Sequence, residues 1–156
     1  MTIGRGLLRT TLRLFAIALP LAFAWEMLQA PAFTGMPESW LAATIECGRA
    51  AFGDGVIALG LLAAGAMIFG TVRWFRPPRL GRYGVIIGVG IVIQVAVEWL
   101  MVHGLGRWGY RTSHPIVPGL DVGILPVLQA VVLFPLVFWL LARWEAGASV
   151  EVSHEA

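Results

Sequence analysis

The chain has 156 residues, of which 58% are hydrophobic and only 13% are charged, and its formal net charge is +2. A soluble domain is usually nearer half apolar and a quarter charged, so this composition and a mean hydropathy of +0.81 indicate a small integral membrane protein with one domain. The one cysteine, Cys47, excludes a disulfide within the chain and a thiolate metal cluster. No nucleic-acid partner is expected, because the basic residues lie between apolar runs and no glycine-rich phosphate loop follows a strand.

Four apolar segments follow one another along the chain, each close to the ~20 residues that a helix needs to cross the hydrocarbon core of a bilayer. They cover residues 14–30, 51–72, 83–103 and 120–141. Open strands would leave backbone groups unpaired in lipid, so the segments are predicted to be helices. The expected fold is all-α, a polytopic membrane protein with a four-transmembrane-helix bundle in residues 1–144 and a disordered cytoplasmic tail in residues 145–156.

Arginine accounts for all eleven basic residues, and its distribution predicts the orientation of the chain. If all four helices cross, eight arginines share one side, namely Arg5, Arg9, Arg13, Arg73, Arg76, Arg79, Arg82 and Arg143. Three lie on the other side, namely Arg49, Arg107 and Arg111. Because loops rich in arginine stay in the cytoplasm, the sequence predicts a multi-pass protein of the inner (plasma) membrane with both termini cytoplasmic.

A cleaved secretory signal is an alternative for the first segment. Basic residues near the N-terminus, an apolar stretch and the small residues of AFA at positions 22–24 fit that pattern. A membrane span is favoured, because cleavage would leave three spans and would remove Glu26 or place it at a new terminus.

The two loops expected on the outer side differ in kind. Residues 37–50 are predicted to form a short helix that begins at Pro37 and lies flat at the outer interface. Residues 104–119 contain too much glycine and proline for a helix. Trp108 and Tyr110 in that loop are expected to anchor it at the membrane interface.

Two acids, Glu26 and Glu98, lie within segments that otherwise suit lipid. At a rise of 1.5 Å per residue from the nearest cytoplasmic arginine, Glu98 lies roughly 24 Å deep, Glu26 roughly 20 Å and Gln129 roughly 21 Å. Gln29 and Gln94 fall at roughly 24 and 18 Å, each on the helix face of its neighbouring glutamate. Three of the four helices therefore place polar groups in one layer, in the outer half of the membrane.

A carboxylate near the bilayer centre is costly, at about 2.5–3.5 kcal/mol on insertion scales. Its lower-energy state is a neutral acid, hydrogen-bonded to Gln or to the other Glu, and two facing carboxyl groups can share one proton. Glu26 and Glu98 are therefore the predicted catalytic residues. The side chains predicted to bind the substrate around them are Gln29, Gln94, Gln129, Trp25, Trp99 and Trp108. The alternative is that the polar groups only join helices by hydrogen bonds, which is favoured for the glutamines Gln94 and Gln129.

The remaining polar residues are expected to have structural roles. Asp54 and Asp121 each follow a glycine-containing turn and are predicted to cap helices. His103 and His114 are expected at the interface, because no histidine spacing repeats a metal-ligand pattern. Neither a metal nor another cofactor is predicted.

A short internal similarity suggests two pseudo-repeated helical hairpins. AWEMLQ and VEWLMV close the first and third spans, and GDGVIALGLL and LDVGILPVL open the second and fourth. Repeats related by an axis along the membrane normal would place Glu26 opposite Glu98 at the bundle centre. The GVIIG motif at residues 84–88 is expected to allow close helix packing in the bundle.

The stretch GRWGYRTSHPIVPGLDVGILPVLQ, residues 106–129, is similar to an element of the all-helical lycopene cyclases, which are membrane-embedded carotenoid enzymes. The matching residues are Gly106, Trp108, Gly119, Gly123, Leu125 and Pro126. The family's acidic pair would fall near Leu128 and Gln129, and neither is an acid here. The resemblance implies an isoprenoid-like substrate held between helices, with the acid–base chemistry moved to Glu26 and Glu98.

Three functions are compatible with these features. The first is binding or transformation of a long apolar lipid of the isoprenoid or carotenoid type by buried carboxyl groups in the outer half of the bilayer. The second is a non-enzymatic accessory subunit of a larger membrane complex. The third is a small proton-coupled carrier that uses the carboxylates as a relay. The expected partners are membrane lipids, an apolar lipid ligand, and either further copies of this chain or a larger membrane complex.

Overall fold

Four long helices make up most of the computed structural model, which describes the backbone of residues 2–154 and the side chains of residues 6–147. The helices are α1 (Thr2–Gln29), α2 (Trp40–Phe69), α3 (Leu80–Trp99) and α4 (Ile124–His154). Each contains a stretch long and apolar enough to cross a membrane, with mean hydropathies between 1.6 and 2.4. The predicted all-α, polytopic four-helix architecture is therefore confirmed.

The helices pack in a ring in which chain neighbours are also spatial neighbours. α1 contacts α2, α2 contacts α3, α3 contacts α4, and α4 closes the ring against α1. Buried positions recur about once per turn, as in the stripe of Ile86, Gly90, Gln94 and Glu98 along α3. The apolar residues between the stripes stay exposed on the outside of the bundle, where a lipid-facing surface is expected.

α2 differs from the prediction at its beginning. Residues 37–50 were expected to form a separate helix lying flat, but α2 begins at Trp40 and runs without a break. Ser39 caps its first turn, and the charged Glu46 and Arg49 form an exposed ion pair on one face, so their charges do not interrupt the helix. At 1.5 Å per residue, α2 is roughly 45 Å long and exceeds the hydrocarbon thickness of about 30 Å, so part of it projects beyond the hydrocarbon.

The end of the chain also differs from the prediction. A disordered tail was expected from Glu145, but α4 continues beyond that residue, and residues 155–156 lie outside the described part of the chain. Glu145 is buried at 4% exposure and accepts a hydrogen bond of 2.6 Å from the Thr10 hydroxyl. Its other carboxylate oxygen lies 3.5 Å from Arg73 and 3.8 Å from Arg76. The helix continues because its polar end is bound to other segments.

The arginine-rich loop between α2 and α3 carries two aromatic residues, Trp74 and Phe75, that are completely buried. The Trp74 indole N–H donates to the carbonyl oxygen of Leu62 over 3.1 Å, and its ring lies 4.7 Å from that of Phe138. Gly65 makes room for this indole, since a Cβ atom there would lie 2.3 Å from Trp74 Nε1. The loop therefore folds back into the bundle and closes one end of the apolar core.

The glycines of the GVIIG motif do not pack inside the bundle. Gly84 and Gly88 are exposed on α3, and a Cβ atom at either position would meet nothing within 4 Å. The prediction that this motif brings helices of the chain together is therefore wrong. Close approach occurs instead at Gly65, and at Gly90, where a Cβ atom would lie 3.4 Å from the ring of Phe134.

The end of the bundle opposite the arginine-rich loop is closed by the other two loops. We name this end the cap end, the opposite end the arginine end, and residues 30–34 and 106–123 together the cap. After α3 the chain passes through a π-helical turn, Leu100–Gly104. Short antiparallel strands then join the two loops: β1 (Phe33–Thr34) pairs with β2 (Gly109–Tyr110), and β3 (Ile116–Val117) pairs with β4 (Val122–Gly123).

Candidate functional site

Buried or half-buried polar side chains from all four helices lie at the cap end of the bundle. Each of them lies on the inward-facing side of its helix or next to it. We name this group the polar centre, and its members are Glu26, Gln29, Asp54, Gln94, Glu98 and Gln129. Gln129 is fully buried and Glu98 is 3% exposed, whereas Glu26 is only half-buried. The residues predicted from the polar layer on α1, α3 and α4 thus share one end of the bundle, and α2 adds Asp54 to them.

Glu26 of α1 and Asp54 of α2 form the closest pair of acids in the polar centre. Their carboxyl groups face each other within hydrogen-bonding range, while Glu98 acts on both only through longer-range electrostatic repulsion. Two carboxyl groups in such proximity are lowest in energy when they share one proton. The acid closest to Glu26 in the structure is therefore Asp54, and not Glu98 as predicted.

Gln29 orients Glu26 from one turn further along α1. Its amide nitrogen donates to Glu26 Oε1 over 2.7 Å, and its amide oxygen accepts the indole N–H of Trp25 over 3.1 Å. All three residues lie on α1 at spacings of three and four, so the helix itself creates this arrangement. Gln29 and Trp25, which were predicted to bind the substrate, therefore lie beside Glu26.

Glu98 is held by the cap. Glu98 Oε1 accepts a hydrogen bond of 2.7 Å from the Tyr110 hydroxyl and one of 3.2 Å from the Trp108 indole N–H. Burial and the bond to Glu98 raise the pKa of Tyr110 well above its ordinary value, so it stays a donor at physiological pH. Both donors are directed at the same carboxyl oxygen, so they fix the orientation of the Glu98 side chain beneath the cap.

His114 fixes the cap above Glu98. Its Nδ1 lies 3.2 Å from the carbonyl oxygen of Ala32, where it must carry the proton because a carbonyl only accepts. Its ring packs at 4.9 Å against Phe33 and at 4.8 Å against Tyr110. His114 therefore joins the loop after α1 to strand β2 beside Glu98.

Several buried polar atoms of the site have no hydrogen-bond partner in the protein. Within the described part of the chain these atoms include Asp54 Oδ2, Gln94 Oε1, both polar atoms of the Gln129 amide, and His114 Nε2. The Gln129 amide lies near the Asp54 carboxyl group, but the two groups do not form a hydrogen bond of good geometry. Buried polar atoms are nearly always paired in native proteins, and each exception requires an explanation. The exceptions here gather at the cap end, on α2, α3, α4 and the cap.

Three residues lie elsewhere than the sequence predicted. Trp99 is 53% exposed and stacks on His103, so its ring points away from the polar centre. Asp54 does not cap a helix, because it lies in the middle of α2. Asp121 is exposed in the turn before β4, with a positive φ of 57°, and its carbonyl oxygen accepts from His103 over 2.8 Å.

Tyr110 and His114 were not predicted as site residues, and neither gives a local signal of that role. Their partners are 12 and 82 positions away in the sequence. Asp54 falls outside the predicted polar layer because its depth, roughly 28 Å, lies nearer the outer edge. The glycine before it also favoured a helix start. The described residues contain no group of three or more His, Cys, Asp and Glu side chains arranged to hold a metal ion.

Comparison with known proteins does not assign this chain to a family. No protein-family model, curated protein or solved structure matches it. Residues 106–129, for which a resemblance to the lycopene cyclases is predicted from the sequence and is not tested by these comparisons, form most of the cap and the first turns of α4. That stretch supplies Trp108, Tyr110 and His114, so the resemblance falls on the segment that holds Glu98.

Proposed function

We propose that the protein binds a long apolar lipid of the isoprenoid type, with the polar end of the lipid at the polar centre. The observation that carries the proposal is the set of unpartnered buried atoms on Asp54, Gln94 and Gln129. The carboxylate and one amide oxygen need a donor, whereas the amide nitrogen needs an acceptor. A hydroxyl group is both, so a lipid with a hydroxyl head can donate to Asp54 or Gln94 and accept from Gln129.

The exposure of the α1 side chains suggests how a lipid reaches this site. Glu26 and Trp25 are half-buried, whereas Asp54 and Glu98 are buried. A ligand that is dissolved in the bilayer could therefore approach Glu26 directly, without passing through water. Its hydrocarbon part would remain in contact with the apolar surface of the bundle, where burial needs no polar partners.

The two carboxyl environments suggest acid–base chemistry on the bound lipid. The Glu26–Asp54 pair can hold one proton and offer it as a general acid, while Glu98 is kept as an acceptor by Tyr110 and Trp108. Transfer of that proton to a carbon–carbon double bond creates a cation, and return of a proton from a neighbouring carbon to the carboxylate restores a neutral product. This sequence is redox-neutral and requires no cofactor.

The resemblance of residues 106–129 to the lycopene cyclases favours the isoprenoid class over other apolar lipids. The cyclases' acidic pair is replaced by Leu128 and Gln129. In this proposal the acids come from α1, α2 and α3, and Gln129 contributes a hydrogen-bonding amide at the position of a family acid.

The test is to purify the chain in gentle detergent from membranes that contain isoprenoids and to identify the bound lipids by mass spectrometry. Wild type, Glu26→Gln and Asp54→Asn are compared with Glu46→Gln, which changes a partly exposed acid of α2. We expect an isoprenoid alcohol or pigment with the wild type and Glu46→Gln, and at least a several-fold loss with the other two. Identical lipid profiles for all four folded proteins would contradict the proposal.

The two other functions predicted from the sequence are separated by further observations. A proton carrier needs polar groups across the bundle, but the buried residues of α4 between Gln129 and Glu145 are apolar over roughly 24 Å. They are Ala130, Leu133, Phe134, Val137, Phe138, Leu141 and Ala142. An accessory-subunit role is tested by the same gentle purification, since it requires a stoichiometric protein partner instead of a lipid.

A further inference from the structure

A groove opens at the arginine end, between the loop that joins α2 to α3 and the last part of α4. Its volume is about 440 Å³, and its lining residues are Arg76, Pro77, Pro78, Ala142, Arg143 and Ala146. The groove is remote from the polar centre, because Arg143 follows Gln129 by fourteen residues of α4, or roughly 21 Å. It therefore requires an explanation of its own.

Positive charge is in excess around this groove. Two guanidinium groups, of Arg76 and Arg143, line it. Arg76 shares Glu145 with Arg73, which lies closer to the carboxylate, at 3.5 Å against 3.8 Å. Arg143 is exposed and stacks over the ring of Trp139 at 5.6 Å, and the ion pairs of the described residues give it no carboxylate partner. Guanidinium groups whose charge is not fully balanced by a carboxylate are suited to a phosphate group, which they can bind by two parallel hydrogen bonds.

The position of the groove along the bundle corresponds to the headgroup layer of a membrane. Trp139 and Trp144 are 45% and 47% exposed on the same turns of α4, and exposed tryptophans at the end of a span favour the membrane interface. Arg13 of α1 stacks over Trp144 at 5.6 Å, so the neighbouring helix ends its apolar stretch at the same level. Prolines and alanines form the rest of the groove wall, which suits the glycerol and first methylene groups of a lipid.

We propose that this groove binds the phosphodiester headgroup of an anionic phospholipid, with Arg143 and Arg76 as its ligands. Basic pockets between transmembrane helices are known to hold such headgroups. The site is independent of the isoprenoid lipid proposed above and lies at the opposite end of the bundle. It would bind one lipid in a fixed position and thereby join the α2–α3 loop to α4.

The test uses the full chain in detergent micelles, with native mass spectrometry to count bound lipid. Phosphatidylglycerol and phosphatidylcholine are offered in turn to the wild type, Arg143→Gln, Arg76→Gln and the control Arg107→Gln, an exposed arginine at the cap end. We expect the wild type and Arg107→Gln to retain phosphatidylglycerol in clear preference to phosphatidylcholine. Each groove variant should lose about fivefold in affinity for phosphatidylglycerol, the effect of one arginine near an anionic surface.

Two further arms make the result decisive. Because Arg76 also contacts Glu145, its variant can lose stability, whereas exposed Arg143 is removed without disturbing a buried ion pair. Inorganic phosphate is added as a competitor, and it should displace little phosphatidylglycerol if the glycerol and acyl contacts contribute. Equal retention of both lipids by the wild type, unchanged binding in Arg143→Gln, or full displacement by inorganic phosphate would each overturn the proposal.

Discussion

The hydroxyl group of Tyr110 donates a hydrogen bond of 2.7 Å to Glu98 Oε1 and thereby ties the cap to the polar centre. Tyr110 lies on β2, which pairs with β1, so this one contact connects the loop after α1, the loop after α3 and the acid of α3. The cap is attached to the bundle through a buried polar contact, so we expect a substitution of Glu98 to affect the stability of both loops.

Replacing Tyr110 by phenylalanine should destabilise the protein measurably. The variant leaves Glu98 without its shortest hydrogen bond, and a buried acceptor left without its donor costs about 1–3 kcal/mol. The unfolding free energy, measured in mixed detergent micelles, should fall by about 1–2 kcal/mol, since bonds in membrane bundles lie at the low end. The control is Tyr83→Phe, whose hydroxyl lies 3.5 Å from the Phe75 carbonyl oxygen. An equal fall in unfolding free energy in both variants would show that the bond to Glu98 stabilises the protein no more than the longer contact of Tyr83 does.

Tyr110 should also ionise at higher pH than a free tyrosine. Its pKa is raised by burial first and by the bond to Glu98 second, with a smaller contribution from Asp121. The chain has two tyrosines, so Tyr83→Phe leaves Tyr110 as the one tyrosine whose absorbance can be titrated. We expect tyrosinate to appear only above the ordinary pKa of about 10.

The sign of the linked stability change follows from that shift. The folded state holds the Tyr110 proton more tightly than the unfolded state does. The resulting stabilisation of the folded state is complete below pH ~10, and it is lost as the pH rises through the pKa of Tyr110 in the folded state. The unfolding free energy of the Tyr83→Phe protein should fall at alkaline pH. When Tyr110 is also replaced, the fall over the same pH range should be smaller. Titration of Tyr110 at the free-tyrosine pKa would contradict the geometry.

The sequence predicts the spans and the polar layer because both depend on local information. Hydrophobicity over ~20 residues identifies a transmembrane helix, and a spacing of three or four places Gln29 beside Glu26. Asp54 was misassigned because glycines flank it, and the packing of α1 explains the second of them, Gly55. A Cβ atom at Gly55 would lie 2.9 Å from the ring of Phe15, so the glycine allows α1 to approach the middle of a continuous α2.

The cap and the arginine end were not predictable in the same way. Tyr110, His114 and Glu145 find partners in distant segments, and no periodic pattern encodes such pairs. Trp74 lies among arginines that indicate an exposed loop, yet the space beside Gly65 buries it. These contacts depend on tertiary packing, which overrides local polarity.

Gly65→Ala should strongly destabilise the bundle. The added methyl group would lie 2.3–2.7 Å from three atoms of the Trp74 indole, which is fully buried and cannot move without breaking its bond to Leu62. Overpacking of this kind costs about 1–3 kcal/mol. Gly60→Ala on the same helix is the control, because its Cβ atom meets nothing within 4 Å. That substitution should stabilise α2 by up to about 1 kcal/mol, and similar losses at both positions would argue against the burial of Trp74.

Glu145→Gln should weaken the arginine end. The buried carboxylate accepts from Thr10 and faces Arg73 and Arg76, so its loss leaves two arginines near an uncharged amide. We expect the unfolding free energy to fall by about 2 kcal/mol, less than for a fully buried pair because Arg73 is two-thirds exposed. The matched change Glu46→Gln removes an exposed ion pair and should cost less than about 0.5 kcal/mol. A Glu145 variant as stable as the Glu46 variant would contradict the described contacts.

The central claim is that the carboxyl groups of Glu26 and Asp54 share a proton, and a double-mutant cycle tests it most directly. Unfolding free energies are measured for Glu26→Gln, Asp54→Asn and the double variant, with Glu26→Gln plus Glu145→Gln as a control pair at opposite ends of the bundle. The account predicts that the control pair is additive within about 0.5 kcal/mol and that Glu26 and Asp54 are coupled by about 1–3 kcal/mol. Additive effects of Glu26→Gln and Asp54→Asn would contradict it.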